Sequence, residues 1–471
     1  MAGYAFETMS ASDAAAFGAG DYLFFTTGAS ANQVTVTPYS NGSTGSLAGS
    51  GITLTYGGKS LTFNTNISTA STSGHILFND ASHLVIGTQA ADTAFTHVGS
   101  ANDPNTIYAL GGNDTIDLTS TNNAAVAAGT GSSNYLNGGF CNDTITGGAG
   151  NNHIYGNSQT SQAGDVDPAS NVRDGADVIT VGGGSNYING NAGADTITAG
   201  TAAVAGQNGN AGTAASAGFN RIFGGADNDT INIQGAGHNA VNGNTGNDII
   251  NDTSTGDNTL RGGSGDDIIR GGSGHSVLMG DVGNDVIFVH GSNGETAPGA
   301  NVSSTSVQQH INVMTGGAGS DTFDFTGNNG TTAANNAGAG QAALFGQTVY
   351  YQEITDFTIG TDKIHLATAS NPTSIGNVGH STTIFTSVQD AEVYAHAQLT
   401  NAGNQGTTPL VEALAVGSAN NTYLFYTETN NVAVTTGEVA GLGIIHLDNV
   451  TAANVSYTDF NTAASVGTGT N

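Results

Sequence analysis

A nine-residue unit repeated in tandem constrains this chain more than any other feature. Gly262-Gly-Ser-Gly-Asp-Asp267-Ile-Ile-Arg270 runs directly into Gly271-Gly-Ser-Gly-His-Ser276-Val-Leu-Met279, and that into Gly280-Asp-Val-Gly-Asn-Asp285-Val-Ile-Phe288. Each unit reads G-G-x-G-x-D-x-U-x, where U is a large apolar residue. A fixed short period means that units stack on one another, because none can bury an apolar face alone. Disorder is the ordinary outcome for so much Gly, Thr, Ser and Asn, but a strict apolar position in every unit defeats it.

The sixth position carries a second regularity. In order it holds Asn105, Asp114, Asn134, Asp143, Asn152, Asp177, Asn186, Asp195, Asn220, Asp229, Asn239, Asp248, Asn258, Asp267, Ser276, Asp285, Asn312 and Asp321. Acid and amide alternate throughout, with Ser276 in place of one amide. Longer steps such as Asn152 to Asp177 carry insertions that leave the alternation intact, as loops on a solenoid do. The pattern predicts two nonapeptides per coil, each a Gly-rich turn followed by a short strand whose middle residue points inward. Ile116, Ile145, Ile179, Ile197, Ile231, Ile250, Ile269, Ile287 and Phe323 should line one sheet of the core. Leu136, Ile154, Ile188, Ile222, Val241, Leu260, Leu278 and Met314 should line the other. The fold class is therefore all-β: a parallel β-roll, or β-solenoid, flanked by N- and C-terminal β domains.

One side of such a roll carries only Asp and the other only amides. Carboxylates stacked about 4.8 Å apart repel by roughly 3 kcal/mol per neighbouring pair at an effective dielectric near 20. They need counter-charge, and the chain has only 6 Lys and Arg against 36 acids, a net charge of −30. Ca²⁺ suits the row, being a hard ion that takes 6–8 oxygens, carboxylate and carbonyl alike, whereas Mg²⁺ wants a stricter octahedron. The candidate metal ligands are Asp114, Asp143, Asp177, Asp195, Asp229, Asp248, Asp267, Asp285 and Asp321, holding several calcium ions. Stacked amides can hydrogen-bond to one another, so the Asn side reads as a ladder without metal.

These repeats resemble the RTX, or haemolysin-type calcium-binding, proteins over about residues 100–325. The resemblance implies export by a type I secretion apparatus on an uncleaved C-terminal signal, folding on calcium outside the cell, and an extracellular or bacterial cell-surface location. This chain departs from the family pattern in the amide on every second turn, which implies about half the calcium of a fully acidic roll. It also has Cys141 where the fourth-position Gly belongs, a substitution expected to distort that turn. The segment Ile354-Thr-Asp-Phe-Thr-Ile-Gly-Thr-Asp-Lys-Ile-His-Leu366 is similar to the one that follows the repeats in serralysin-type proteins.

The flanks carry no nonapeptide. A short helix is expected over 10–17. Apolar–polar alternation in Asp21-Tyr-Leu-Phe-Phe, Gln33-Val-Thr-Val-Thr, Gly51-Ile-Thr-Leu-Thr-Tyr and Ser60-Leu-Thr-Phe-Asn predicts strands. The expected organisation is an N-terminal β cap at 1–95, the roll at 96–326, a Gly/Ala/Asn linker at 327–345, and a C-terminal β domain with the secretion signal at 346–471.

Several functions are disfavoured. No basic surface exists to track phosphates, so no nucleic acid is expected as a partner. No run of 18 apolar residues occurs, so no membrane insertion is expected, and the N-terminus has neither the charge nor the apolar run of a Sec signal. The serralysin zinc motif H-E-x-x-H and the G-x-S-x-G elbow are both missing from the sequence, so an enzyme is not expected. The reading is a secreted calcium-binding structural protein whose partner is itself, as a surface layer, filament or matrix of S-layer type. The alternative is a calcium-dependent adhesin for a cell-surface glycan; a secreted hydrolase is the weakest reading.

Overall fold

The computed structural model describes residues 1–26, 28–38, 51–93, 95–96, 103–118, 133–147, 150–157, 174–200, 218–272, 274–289, 312–325, 352–366, 378–388, 390–391, 394–395, 398, 411–426 and 443–460. The expected linker at 327–345 and the chain beyond 460 lie outside these residues. Two compact units divide the chain, Met1–Asp248 and Ile249–Asn471.

In the first unit two parallel ladders carry the repeats. One runs through Thr115–Asp117, Thr144–Thr146, Val178–Val181, Thr196–Ala199 and Thr230–Ile233, with Ile116, Ile145, Ile179, Ile197 and Ile231 in register. The other runs through Asn134–Asn137, Asn152–Tyr155, Tyr187–Ala192, Asn220–Ala226 and Asn239–Thr245, aligning Leu136, Ile154, Ile188, Ile222 and Val241. Consecutive strands alternate between ladders, so each coil uses two nonapeptides. Every one of these aligned apolar residues is at most 3% exposed. The insertion between Asn152 and Asp177 does not shift the register, since Ile145 still pairs with Ile179.

The second unit repeats the scheme. Ile250, Ile269, Ile287, Phe323 and Ile364 align in one ladder. Leu260, Leu278, Met314, Ile354 and Leu447 align in the other. Beyond Gly443–Asp448, the strands Asn421–Tyr426 and Val411–Val416 add on in antiparallel fashion. Leu414, Phe425 and Ile444 form a small core there.

The N-terminal part of the first unit holds the expected strands Tyr22–Phe24, Thr35–Pro38, Ile52–Tyr56 and Lys59–Phe63. The expected helix spans Ala11–Ala15, capped by the Ser10 side chain, which accepts from the Asp13 N–H at 3.1 Å. A second helix, Asn66–Thr72, was not legible beforehand, because Asn-Ile-Ser-Thr-Ala-Ser-Thr has weak helix propensity. Its Ile67 is fully buried in a cluster with Phe6, Phe17, Leu54 and Phe63, so packing holds it. The same cluster includes Ile86, Tyr108 and Leu110. His83–Ile86 pairs with Asn105–Tyr108, and Phe95–Thr96 with Ile116–Asp117. The ladders thus begin within residues 1–95, and the N-terminal sheets pack over their first strands.

The stacked core makes a clear prediction. Ile197→Ala or Ile269→Ala should destabilise the calcium-loaded fold by about 2–5 kcal/mol, as truncation of a buried Ile does. Thr196→Ala, at the exposed neighbouring position, should stay within about 0.5 kcal/mol. Denaturant unfolding at fixed Ca²⁺ distinguishes the two.

Candidate metal centre

The Gly-rich turn exists to place the aspartate. In the acid-bearing units other than that of Asp177, positions two and four both take the left-handed backbone region. Asn244 and Gly246 do so at φ 77° and 127°, and Asp281 and Gly283 at 76° and 144°. Gly tolerates that region, and Asn and Asp do so better than other residues. Cys141 holds φ 82° at its fourth position, so the turn keeps its course there and the expected distortion is not seen; the strain falls on the Cys backbone. The first-position Gly serves a different need. A Cβ on Gly190 would lie 2.1 Å from Asp195 Oδ2 and 2.5 Å from the Gly224 carbonyl oxygen.

Each aspartate side chain enters the turn and points along the stack. Asp143 Oδ1 accepts from the Asp114 N–H at 2.7 Å, Asp177 Oδ1 from Asp143, Asp195 Oδ1 from Asp177, Asp229 Oδ1 from Asp195 and Asp248 Oδ1 from Asp229. In the second unit Asp285 Oδ1 accepts from Asp267, and Asp321 Oδ1 from Asp285. All nine expected acids occupy this register, each at most 2% exposed.

The second carboxylate oxygen is treated differently. Oδ2 of Asp114, Asp143, Asp177, Asp195, Asp229, Asp285 and Asp321 is buried with no hydrogen-bond partner among the described residues. An orphaned charged oxygen is costly. Burial accordingly pushes the carboxyls up, to about 8 at Asp114, about 9 at Asp143 and Asp229, about 7 at Asp195 and Asp285, and about 6 at Asp248 and Asp321. Neighbouring acids add to the effect at Asp114, Asp143, Asp195, Asp229, Asp285 and Asp321. Over the first-position glycines Gly138, Gly190, Gly224 and Gly280 this oxygen converges with a main-chain carbonyl. A buried set of carboxylate and carbonyl oxygens fits a hard cation such as Ca²⁺.

On the amide side the second side-chain atom is satisfied by hydrogen bonds along the row. Asn134 Nδ2 donates to Asn152 Oδ1, Asn152 to Asn186, Asn186 to Asn220 and Asn220 to Asn239, at 2.7–2.9 Å. Ser276 keeps the register in the second unit, accepting from the Asn258 N–H and donating its own N–H to Asn312 Oδ1.

Four acids escaped the sequence reading. Asp92 donates its N–H to Asp114 Oδ1, and Asp362 Oδ1 accepts from Asp321, so both extend the rows beyond the nonapeptides. Asp174 is buried beside the row and pushed up to about 8 by burial; the fragment Asp174-Gly-Ala-Asp177, a remnant turn after an insertion, was its signal. Asp252 is fully buried, with Oδ2 accepting from Asn258 Nδ2 at 2.6 Å.

Stacked parallel turns with inward carboxylates define a calcium-binding β-roll. Residues 102–123, 128–162, 173–202, 214–232, 234–251 and 252–287 match the RTX calcium-binding nonapeptide repeat. These segments are RTX calcium-binding repeats, and the cofactor is Ca²⁺. No curated protein matches it.

Two outcomes are expected. Asp229→Asn should lower calcium stoichiometry, whereas Asn220→Ala should cost about 1 kcal/mol per lost hydrogen bond without changing it; calorimetric titration reads both. The second concerns pH. The row's folded pKa values lie above the unfolded 3.8, so without calcium the fold binds extra protons. That stabilisation is complete below about pH 4 and is lost as pH rises through about 6 to 9. In chelator the far-UV β signal should strengthen on acidification from pH 8 to 5. The calcium concentration needed for folding should fall as pH rises, because protons and Ca²⁺ compete.

Proposed function

We propose that this is a secreted structural protein that leaves the cell unfolded, folds on Ca²⁺ held by the nine sixth-position aspartates, and then self-assembles into a surface layer, filament or matrix. The observation carrying this reading is the buried Oδ2 of Asp114, Asp143, Asp177, Asp195, Asp229, Asp285 and Asp321, without a hydrogen-bond partner among the described residues. In low calcium the row opposes folding, which keeps a chain competent for export; outside the cell, bound calcium becomes folding free energy. RTX-repeat proteins are typically secreted, and among the described residues no helix is long and apolar enough to cross a membrane. The role needs no catalytic centre.

Self-association is supported by charge and by surface. A net charge of −30 opposes it, and nine Ca²⁺ on nine aspartates would offset up to about 18 of those charges. The outward positions of the strands hold residues such as Thr144, Thr196, Val178, Val277 and Val282, which present flat faces with few cations to form salt bridges. One observation favours the adhesin reading as a second choice. Tyr187 and Phe223, both half-buried with ring centroids 5.7 Å apart, continue a row of rings from Tyr135 and Tyr155, and partly exposed aromatic faces are a common platform for sugar rings.

Light scattering and electron microscopy across a calcium titration test the proposal. Association should rise steeply over the range that folds the roll, giving sheets, tubes or filaments, with Mg²⁺ failing to substitute. A chain that folds on calcium yet stays monomeric while retaining a glycan would establish the adhesin instead.

A further inference from the structure

Away from the repeats, the second unit gathers a cluster with a different chemistry. Glu353 lies directly across from His446 in the parallel pairing of Gln352–Ile354 with Gly443–Asp448. Asp448, two residues beyond His446, projects from the same face. Glu353 Oε1 is 3.7 Å from His446 Nδ1, and Asp448 Oδ1 is 3.3 Å from Nε2. One ligand atom from each of the three residues lies within 4.8 Å of the others. Asn421, paired across from Asp448, turns its Oδ1 to His446 Nε2 while its Nδ2 donates to the Val416 carbonyl at 2.9 Å.

The imidazole is fixed as a ligand is fixed. Tyr423 stacks on it with centroids 4.4 Å apart and ring planes 17° apart, and only 6% of His446 is exposed. An unprotonated imidazole keeps one lone pair for a metal ion. Two carboxylates beside a neutral imidazole leave a local charge that a single dication would cancel.

We infer that Glu353, His446 and Asp448 form a site for a Zn²⁺-class transition-metal dication, separate from the calcium rows. The nitrogen donor sets the selectivity: imidazole suits Zn²⁺ and its first-row neighbours, while Ca²⁺ takes oxygens. Asn421 acts as an orienting partner through the ring, the role that outer groups play around metal-bound histidines. Two strands distant in sequence meet at this face, so an ion here would tie Gln352–Ile354 to Gly443–Asp448 where they pair at the end of the parallel ladder.

The test is a titration of the full chain with Co²⁺ in saturating Ca²⁺, followed by visible absorption and by displacement with Zn²⁺. One equivalent of Co²⁺ should develop ligand-field bands that Zn²⁺ removes. H446Q should abolish them, and E353Q and D448N should each weaken binding by about 10–100-fold, with unchanged circular dichroism in Ca²⁺. Should H446Q fail to fold, E353Q and D448N decide, because both positions are partly exposed, at 26% and 38%. No Co²⁺ uptake by the folded wild type, or equal uptake by E353Q and D448N, would overturn the assignment.

Discussion

The structure depends on one hydrogen bond repeated from coil to coil: the sixth-position side chain accepts from the backbone N–H of the coil before it. Asp229 to Asp195 and Asn220 to Asn186 make it with the same atoms, at 2.8 and 3.2 Å. Asp and Asn are interchangeable for this bond. They differ only in the second side-chain atom, which in Asn donates onward and in Asp cannot. The alternation along the sequence therefore separates a row complete in itself from one that requires an ion. The two ladders share a core, so the incomplete row controls the folding of both.

The turn chemistry follows from that bond. Glycine at the first position leaves room for the carboxylate to point along the stack, since a methyl on Gly224 would sit 2.2 Å from Asp229 Oδ2; Ala109 takes that position ahead of Asp114. The left-handed positions are less strict. Asp227 and Asn191 occupy them beside many glycines, and so do Cys141 and Leu110 at φ 82°. Those two are the costlier choices, of the order of 1–3 kcal/mol each. They mark turns where the stack over-determines the backbone.

Much of this was legible in the sequence because a repeat states the same constraint many times. The inward positions from Ile116 to Phe323 are buried as their spacing required, and the amide row is hydrogen-bonded as its composition implied. What escaped notice lacked repetition. Asp92 and Asp362 join the acid row without a nonapeptide around them. Asp174 was hidden by an insertion. Helix Asn66–Thr72 is stabilised by Ile67 in a tertiary cluster, against its own propensity. Glu353, His446 and Asp448 come together only through strand pairing, and no spacing in one strand could announce that.

The half-acidic design has a physical logic of its own. A roll with carboxylates on both sides would meet twice the repulsion before its first ion bound. With amides on one side, Asn134 through Asn239 can hydrogen-bond along the row, and each coil so formed would fix the next aspartate in place. Ion binding would then meet a partly built scaffold, at a smaller ordering cost per ion. The need for counter-charge would be kept, because Oδ2 of Asp143, Asp195 and Asp229 has no hydrogen-bond partner among the described residues. Cooperativity along the stack is a direct result: an ion that satisfies one turn also orders the glycine carbonyl and the aspartate of its neighbour, the nearest-neighbour coupling that makes solenoids fold by propagation.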